Sequence, residues 1–410
     1  MEKNLLFIRG IYDTIDLFIE AFTAAFTSLG CACHTIDVRD EKTAMARLRE
    51  LIEAGTLDGV ITFNNIGYNL SFTGGTSIWD EKSIPYFNIL MDHPFHYSRP
   101  LEHAPKSSVI FCTDLGHVSF LRRFYPNLKQ VDFMPHAGME ADLSEYGAAG
   151  ACHLCTDGDG YHPPLKERPF DVLYAGSLSK YVAEGLIPDL GEIKDFDAFT
   201  LTQEVLSDLI RCPYKTTEQA IEEYLLSIGK QYTDRELNQW ITGLRFIDSY
   251  ATSFFREQAV RLLVEEGIKV TVFGSGWEQC EWADNPNLIL GGKVLAPQVL
   301  ELMNHSRIVL NTMTWYKNGI HDRIINGMLA KAVVLTDESL YLKNGILARK
   351  ESCLEAFSLQ EIHRLPQLAE GLLGHPGRME EIAENGYLAA KEGHTWLQRA
   401  EFVYAKYLQG

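Results

Sequence analysis

The 410-residue chain contains no run approaching the ~20 apolar residues that a membrane-spanning helix needs. Positive charge is also in short supply: 37 Lys and Arg stand against 55 Asp and Glu, a formal net charge of −18. So acidic a chain is a poor partner for nucleic acid or an anionic membrane surface, which are bound by Lys and Arg replacing counterions. Cysteine is sparse as well. Its eight residues sit mostly among apolar neighbours, as at Cys112, Cys280 and Cys353, which argues for reduced, buried thiols and against a disulfide framework. The opening Met1–Ile8 has a short apolar run broken at Arg9-Gly10, with no cleavage site, so the expected location is the cytoplasm. There is no solenoid repeat and no low-complexity tract. The composition that is present, 46% hydrophobic and 22% charged, excludes disorder, collagen and coiled coil, and the length suggests two domains.

Short apolar runs alternate with stretches of helical spacing through the first third of the chain. Strands are expected near Leu5, His34, Gly59, Tyr86, Ser108 and Val131, with helices between them. That alternation predicts a doubly wound parallel sheet, a Rossmann-like domain over 1–137. Residues 138–169 crowd Gly and Pro among short polar side chains and read as a linker. Within it, Cys152 and Cys155 with His162 have the spacing of half a zinc site, but no second pair follows, and Asp157-Gly158-Asp159 reads as a turn. No metal is expected.

The α/β pattern resumes in a second Rossmann-like domain over 170–393. Its first two strands are separated by helical sequence from about 181 to 266, far more than one crossover needs, which predicts a helical insertion. A last helix is expected within 394–410. Two such domains place a cleft between the carboxyl ends of their sheets, lined by helix amino termini, which bind phosphate through backbone N–H groups without many lysines.

The segment Asn311–Asp337 is the richest. A strand ends at Asn311, and Gly319-Ile320-His321-Asp322-Arg323 opens a helix with Asp322 as the expected N-cap. His321 and Arg323 then stand where a pyrophosphate meets helix N–H groups and a guanidinium, and Asn326 lies one turn on, within reach of a ribose hydroxyl. The same residues also suit a plain capped helix packed through Ile325, Met328 and Leu329.

The order strand, loop, Gly-x-His-x-Arg-x-x-Asn-x-Met, then a strand ending Thr336-Asp337, resembles the donor-nucleotide motif of GT-B glycosyltransferases, in particular the spore-coat CgeB/YkvP-like branch. The resemblance implies the GT-B fold, two Rossmann-like domains facing a cleft, with the helix within 394–410 crossing back to pack on the first domain. It also implies donor contacts at Gly176, Ser177, Gly274, Ser275, Gly276, Trp277, Asn311, His321, Asp322, Arg323 and Asn326, with Trp277 stacking on the base. His93, after the strand Tyr86–Met91, takes the catalytic position, with Asp92 orienting its imidazole; a turn in which His93 only bonds backbone ahead of Pro94 is the alternative. Gly10, Asn64, Asn65 and His136 fall on the acceptor side. Arg323, with Lys180 or Lys317, takes up the charge of the leaving diphosphate. Three positions depart from the motif: Asn326 and Asn318 stand where retaining relatives carry Glu, and Lys331 replaces Gly. A neutral amide changes donor preference and leaves the stereochemical class open.

The activity expected is metal-independent, cofactor-free transfer of a sugar from a nucleotide diphosphate, UDP foremost, to an acceptor hydroxyl. Oligomerisation through the helical insertion is compatible with it. The alternatives are a nucleotide-sugar epimerase of the same fold and a non-catalytic nucleotide-sugar binder.

Overall fold

The computed structural model describes residues 2–72, 74–140, 162–178 and 187–409. The chain divides into two units, Met1–Met139 with Gly393–Gly410, and Glu140–Glu392. Cys152, Cys155, Asp157, Asp159 and Lys180 lie outside the described residues. Among those described, no helix is long and apolar enough to cross a membrane.

The first unit is built on six parallel strands: β1 (Asn4–Arg9), β2 (Ala32–Asp37), β3 (Gly59–Phe63), β4 (Tyr86–Leu90), β5 (Ser108–Cys112) and β6 (Gln130–Phe133). They stand in the order β2-β1-β3-β4-β5-β6. Every residue of β3, β4 and β5 is buried, as strands covered by helices on both faces must be. The helix Asp13–Ser28 presents Phe18, Phe22 and Phe26, one turn apart, to this sheet.

The terminal helix Trp396–Val403 belongs to the same unit. Its Trp396 ring centroid lies 5.3 Å from Phe18, 5.1 Å from Phe22 and 5.8 Å from Phe63. Buried Arg399 donates from Nε to the Pro135 carbonyl (2.7 Å) and from Nη2 to that of His136 (2.9 Å). Trp396→Ala should therefore cost about 3–5 kcal/mol of first-unit stability, the usual cost of emptying an aromatic core position. Urea unfolding followed by hydrogen exchange in β1 and β3 measures it, and a loss below about 1 kcal/mol would show that the helix adds little to this core.

The second unit repeats the architecture with β7 (Phe170–Ala175), β8 (Val270–Phe273), β9 (Leu288–Gly292), β10 (Ser306–Asn311), β11 (Val333–Asp337) and β12 (Glu355–Phe357). These strands are all parallel, in the order β12-β11-β10-β7-β8-β9. β12, only three residues long, leaves no readable period in the sequence. A 3-10 stretch, Leu359–Arg364, leads into an α-helix, Leu365–Leu373, with Pro366 in its first turn, where a missing N–H costs nothing.

Between β7 and β8 run the helices Ala198–Arg211, Thr217–Ser227, Asp234–Gly243 and Phe246–Glu265. Thr216 and Thr233 start the second and third with reciprocal capping boxes to Gln219 and Glu236. The fourth is the crossover helix proper: its Ala259, Val260, Leu263 and Val264 share a core with Val172, Tyr174 and Val270.

Candidate functional site

Strand order reverses at β7, which has β8 on one side and β10 on the other. In open α/β sheets ligands collect at the carboxyl ends of the strands at such a switch point. The loops there are laced together: Gly176 N donates to the Phe273 carbonyl (2.8 Å), Leu178 N to that of Ser275 (2.8 Å), and Ser275 N to Ser177 Oγ (3.1 Å). Gly274 makes this possible. It sits at φ 134°, and a Cβ there would lie 2.6 Å from Gly176 C and Ser177 N, so no side chain fits.

Two guanidinium groups converge on this corner. Arg323, in the first turn of the helix Asp322–Leu329, donates from Nη1 to Asn311 Oδ1 at 2.5 Å, and its guanidinium carbon lies 5.4 Å from the Tyr174 ring centroid. Arg256, on the crossover helix, donates to the Ser177 carbonyl and stands 5.9 Å from the same ring and 5.6 Å from that of Trp315. Both side chains are buried, and the Nε of Arg256 has no partner among the described residues. Among those residues neither guanidinium pairs with a carboxylate at ion-pair distance. Burial above all, with the like charge of Arg256 adding, pushes the Arg323 pKa below its ordinary value. Two unneutralised cations held together in a fold destabilise it, and an anion seated against both would relieve that cost.

His321, and not Asp322 as the sequence suggested, is the N-cap. Its backbone is extended (φ −90°, ψ 143°), helical geometry begins at Asp322, and the His321 Nδ1 accepts from Arg323 N at 3.1 Å. Burial, with the nearby Arg323 adding, lowers the His321 pKa, while Asp322, whose Oδ1 lies 2.8 Å from the His321 Nδ1, opposes the shift. Asn326, buried, donates to Asp322 Oδ2 at 3.2 Å. Asn311, fully buried, spans from Arg323 to Thr336 Oγ1, to which its Nδ2 donates at 2.9 Å.

Trp277 is placed otherwise than expected. Its indole is fully buried, edge-on to Tyr174 at 5.5 Å, and its Nε1 donates to the Gly176 carbonyl at 2.9 Å. Its faces are packed in the core, so it supports the β7 loop and offers a base no platform. Gly176, Ser177, Gly274, Ser275, Asn311, His321, Asp322, Arg323 and Asn326 all gather at or next to the carboxyl ends of β7, β8 and β10, and Gly276 continues the β8 loop.

In the first unit the switch point lies where Gly10 follows β1 and Asn64 follows β3. Asn64 and Asn65 both have left-handed backbones (φ 48° and 63°), a strained pair for side-chain-bearing residues. Asn64 accepts from Met91 N (2.9 Å) and donates to Tyr12 Oη (2.9 Å) and Asp92 Oδ2 (3.4 Å). Asp92 is exposed and also accepts from the Tyr97 hydroxyl at 2.7 Å.

His93 is its opposite. It is buried, stacked on Phe95 at 3.8 Å, and its Nδ1 accepts from Phe95 N at 3.2 Å, closing the turn ahead of Pro94. Burial, with His96 adding, holds its pKa well below the usual imidazole value. His136 is buried too, 6.4 Å from Phe18, and Asn65 spends its side-chain oxygen on Asn88 Nδ2 (2.8 Å). These two support the fold and present little to an acceptor. Gly10 N donates to the carboxylate of buried Asp16 at 2.8 Å.

Sequence reasoning missed Arg256, Tyr174 and Tyr97. For Arg256 a signal existed: it shares a helix face with Ala259 and Val260, an apolar stripe on which a buried charge needs a reason. Among the described residues no three His, Cys, Asp or Glu side chains are grouped to hold a metal ion.

Residues 251–405 match the family model described as glycosyl transferase-like. No curated protein sequence matches the chain. The fold is that of solved GT-B enzymes. Sucrose-phosphate synthase from Thermosynechococcus elongatus superposes with a TM-score of 0.53 at 10% identity, over 100% of this chain and 99% of that one. HepE of Anabaena in complex with UDP-glucose gives 0.50 at 9%, over 98% and 99%. A glycosyltransferase from Rickettsia africae gives 0.50 at 9%, over 100% and 99%.

Proposed function

We propose that the chain is a GT-B glycosyltransferase that takes a sugar from a nucleotide diphosphate, UDP foremost, and transfers it to an acceptor hydroxyl without a metal ion. The observation that carries this reading is the pair of unneutralised, buried guanidiniums, Arg323 and Arg256, at the β7/β10 switch point and the amino terminus of the helix Asp322–Leu329. A diphosphate neutralises both, accepts the helix N–H groups, and on leaving carries its developing charge into the same cradle. The motif match over 251–405 and the UDP-glucose held by the fold neighbour HepE favour this ligand. The spore-coat branch is our finer assignment.

For the acceptor step the first unit offers Asp92. Its exposed carboxylate is fixed by Tyr97 and Asn64 and is open to a hydroxyl. In this reading the acceptor oxygen gives its proton to Asp92, attacks the anomeric carbon, and the bond to the diphosphate breaks, which inverts the centre. His93, neutral and capping the turn, is a positioning residue. A passive binder has no use for such a base.

The donor reading is tested by thermal shift against UDP, GDP, dTDP, CDP and ADP. A ligand at 100 times its dissociation constant adds about 2.7 kcal/mol, several degrees in melting temperature. UDP should give the largest response. No response to any of the five would remove the diphosphate site.

A further inference from the structure

A cavity of about 420 Å³ opens in the second unit at the carboxyl ends of β10, β11 and β12, and it shares no lining residue with the guanidinium pair. One wall is Pro213-Tyr214, the link between the helices Ala198–Arg211 and Thr217–Ser227. Lys317, beyond β10, holds that link in place by donating to the Pro213 carbonyl at 2.5 Å. The volume falls within the range of small-ligand sites.

One polar group in its walls is unsatisfied, and a second is a buried carboxyl. Thr314 is only 6% exposed, yet its hydroxyl has no hydrogen-bond partner among the described residues. Asp337, ending β11, accepts through Oδ1 from Met313 N at 2.8 Å and from Thr336 Oγ1 at 3.5 Å. Burial raises the Asp337 pKa to about 7, so near neutrality the carboxyl is present in both protonation states. The cations nearby are matched by acids: Lys343 pairs with Glu338 at 2.8 Å, and Lys317 faces Asp337.

These features select a ligand class. An anion finds no surplus positive charge here, and two carboxyls oppose it. An apolar ligand would leave the Thr314 hydroxyl unpaired, which is costly in a buried site. A hydroxyl both donates and accepts, so it satisfies the Thr314 hydroxyl and the Asp337 carboxyl in either state. Tyr214, 64% exposed, adds an amphipathic ring against which a sugar's C–H face packs. We propose that this cavity binds a neutral, polyhydroxylated ring of monosaccharide size, and that the helical insertion serves to build its wall.

The inference does not rest on the donor reading, because sugar binding is measured here without nucleotide. The intact protein is titrated with D-glucose, D-galactose, D-mannose and N-acetyl-D-glucosamine by saturation-transfer NMR. At least one should bind, and Thr314→Val, which keeps the shape, or Tyr214→Ala, at an exposed position, should weaken it about fivefold or more, while the thermal response to UDP is kept. If none of the four sugars binds, or if both variants bind as the parent does, the site is overturned. The UDP response of the same variants reports separately on the donor site.

Discussion

Replacing Arg323 by methionine should weaken UDP binding by roughly 30- to 1,000-fold, the 2–4 kcal/mol expected when a buried, hydrogen-bonded charge loses its partner. Stability without nucleotide should move by no more than about 1 kcal/mol. Methionine removes a desolvated cation that has no carboxylate at ion-pair distance among the described residues, which favours the fold, and it leaves Asn311 Oδ1 without its donor, which opposes it. Isothermal titration with UDP and urea unfolding of the apo protein read the two effects independently. A residue present for structure gives the opposite pattern, with stability falling by 3 kcal/mol or more and affinity unchanged, and that pattern would remove Arg323 from the ligand site. Arg256→Met should follow the same rule with a smaller loss, since this guanidinium is tethered to the Ser177 carbonyl.

Asp92→Asn should lower kcat by about 10²- to 10⁴-fold, the usual contribution of a positioned general base, with the UDP response intact. His93→Asn should keep activity within about tenfold, because an asparagine oxygen can still accept from Phe95 N and hold the turn. The comparison is decisive because the two residues are adjacent while their environments differ: one carboxylate is exposed beside Tyr97 and Asn64, and one imidazole is stacked on Phe95 and within 4.5 Å of His117. Should His93→Asn abolish transfer while Asp92→Asn spares it, the base is the imidazole, as the motif resemblance implied. Product stereochemistry, read by NMR of the transferred sugar, supplies a second check, since a base acting in a single displacement inverts the anomeric centre.

The doubly wound sheets were legible because burial on both faces leaves a continuous apolar run, as in Val60–Phe63 and Tyr86–Leu90, and because Gly or a capping residue ends each helix between them. The anion corner was legible in part. Arg323 opens a helix directly after a strand, so its position at a helix amino terminus follows from local spacing alone. β12 was not legible, since three residues carry no period, and neither was the split at Pro366, where a loop and a helix start blur into one polar-apolar pattern.

What the sequence by itself determined is the order of strands and helices and which loops lie at strand ends, because these depend on neighbours within a turn or two, together with the acidic character of the chain. Only the tertiary structure decided which way the side chains on those loops face. Trp277 reads as a loop aromatic free to stack, yet its indole bonds the carbonyl of Gly176, 101 residues earlier, and is lost to the core. Arg256 reads as one more helix charge, yet it meets Ser177 79 residues away and shares the Tyr174 ring with Arg323. Asp92 and His93, adjacent in sequence, differ in exposure because Phe95, His117 and Phe120 enclose the imidazole and leave the carboxylate outside. Exposure and charge compensation are properties of contacts between distant segments, and no spacing rule within one segment contains them.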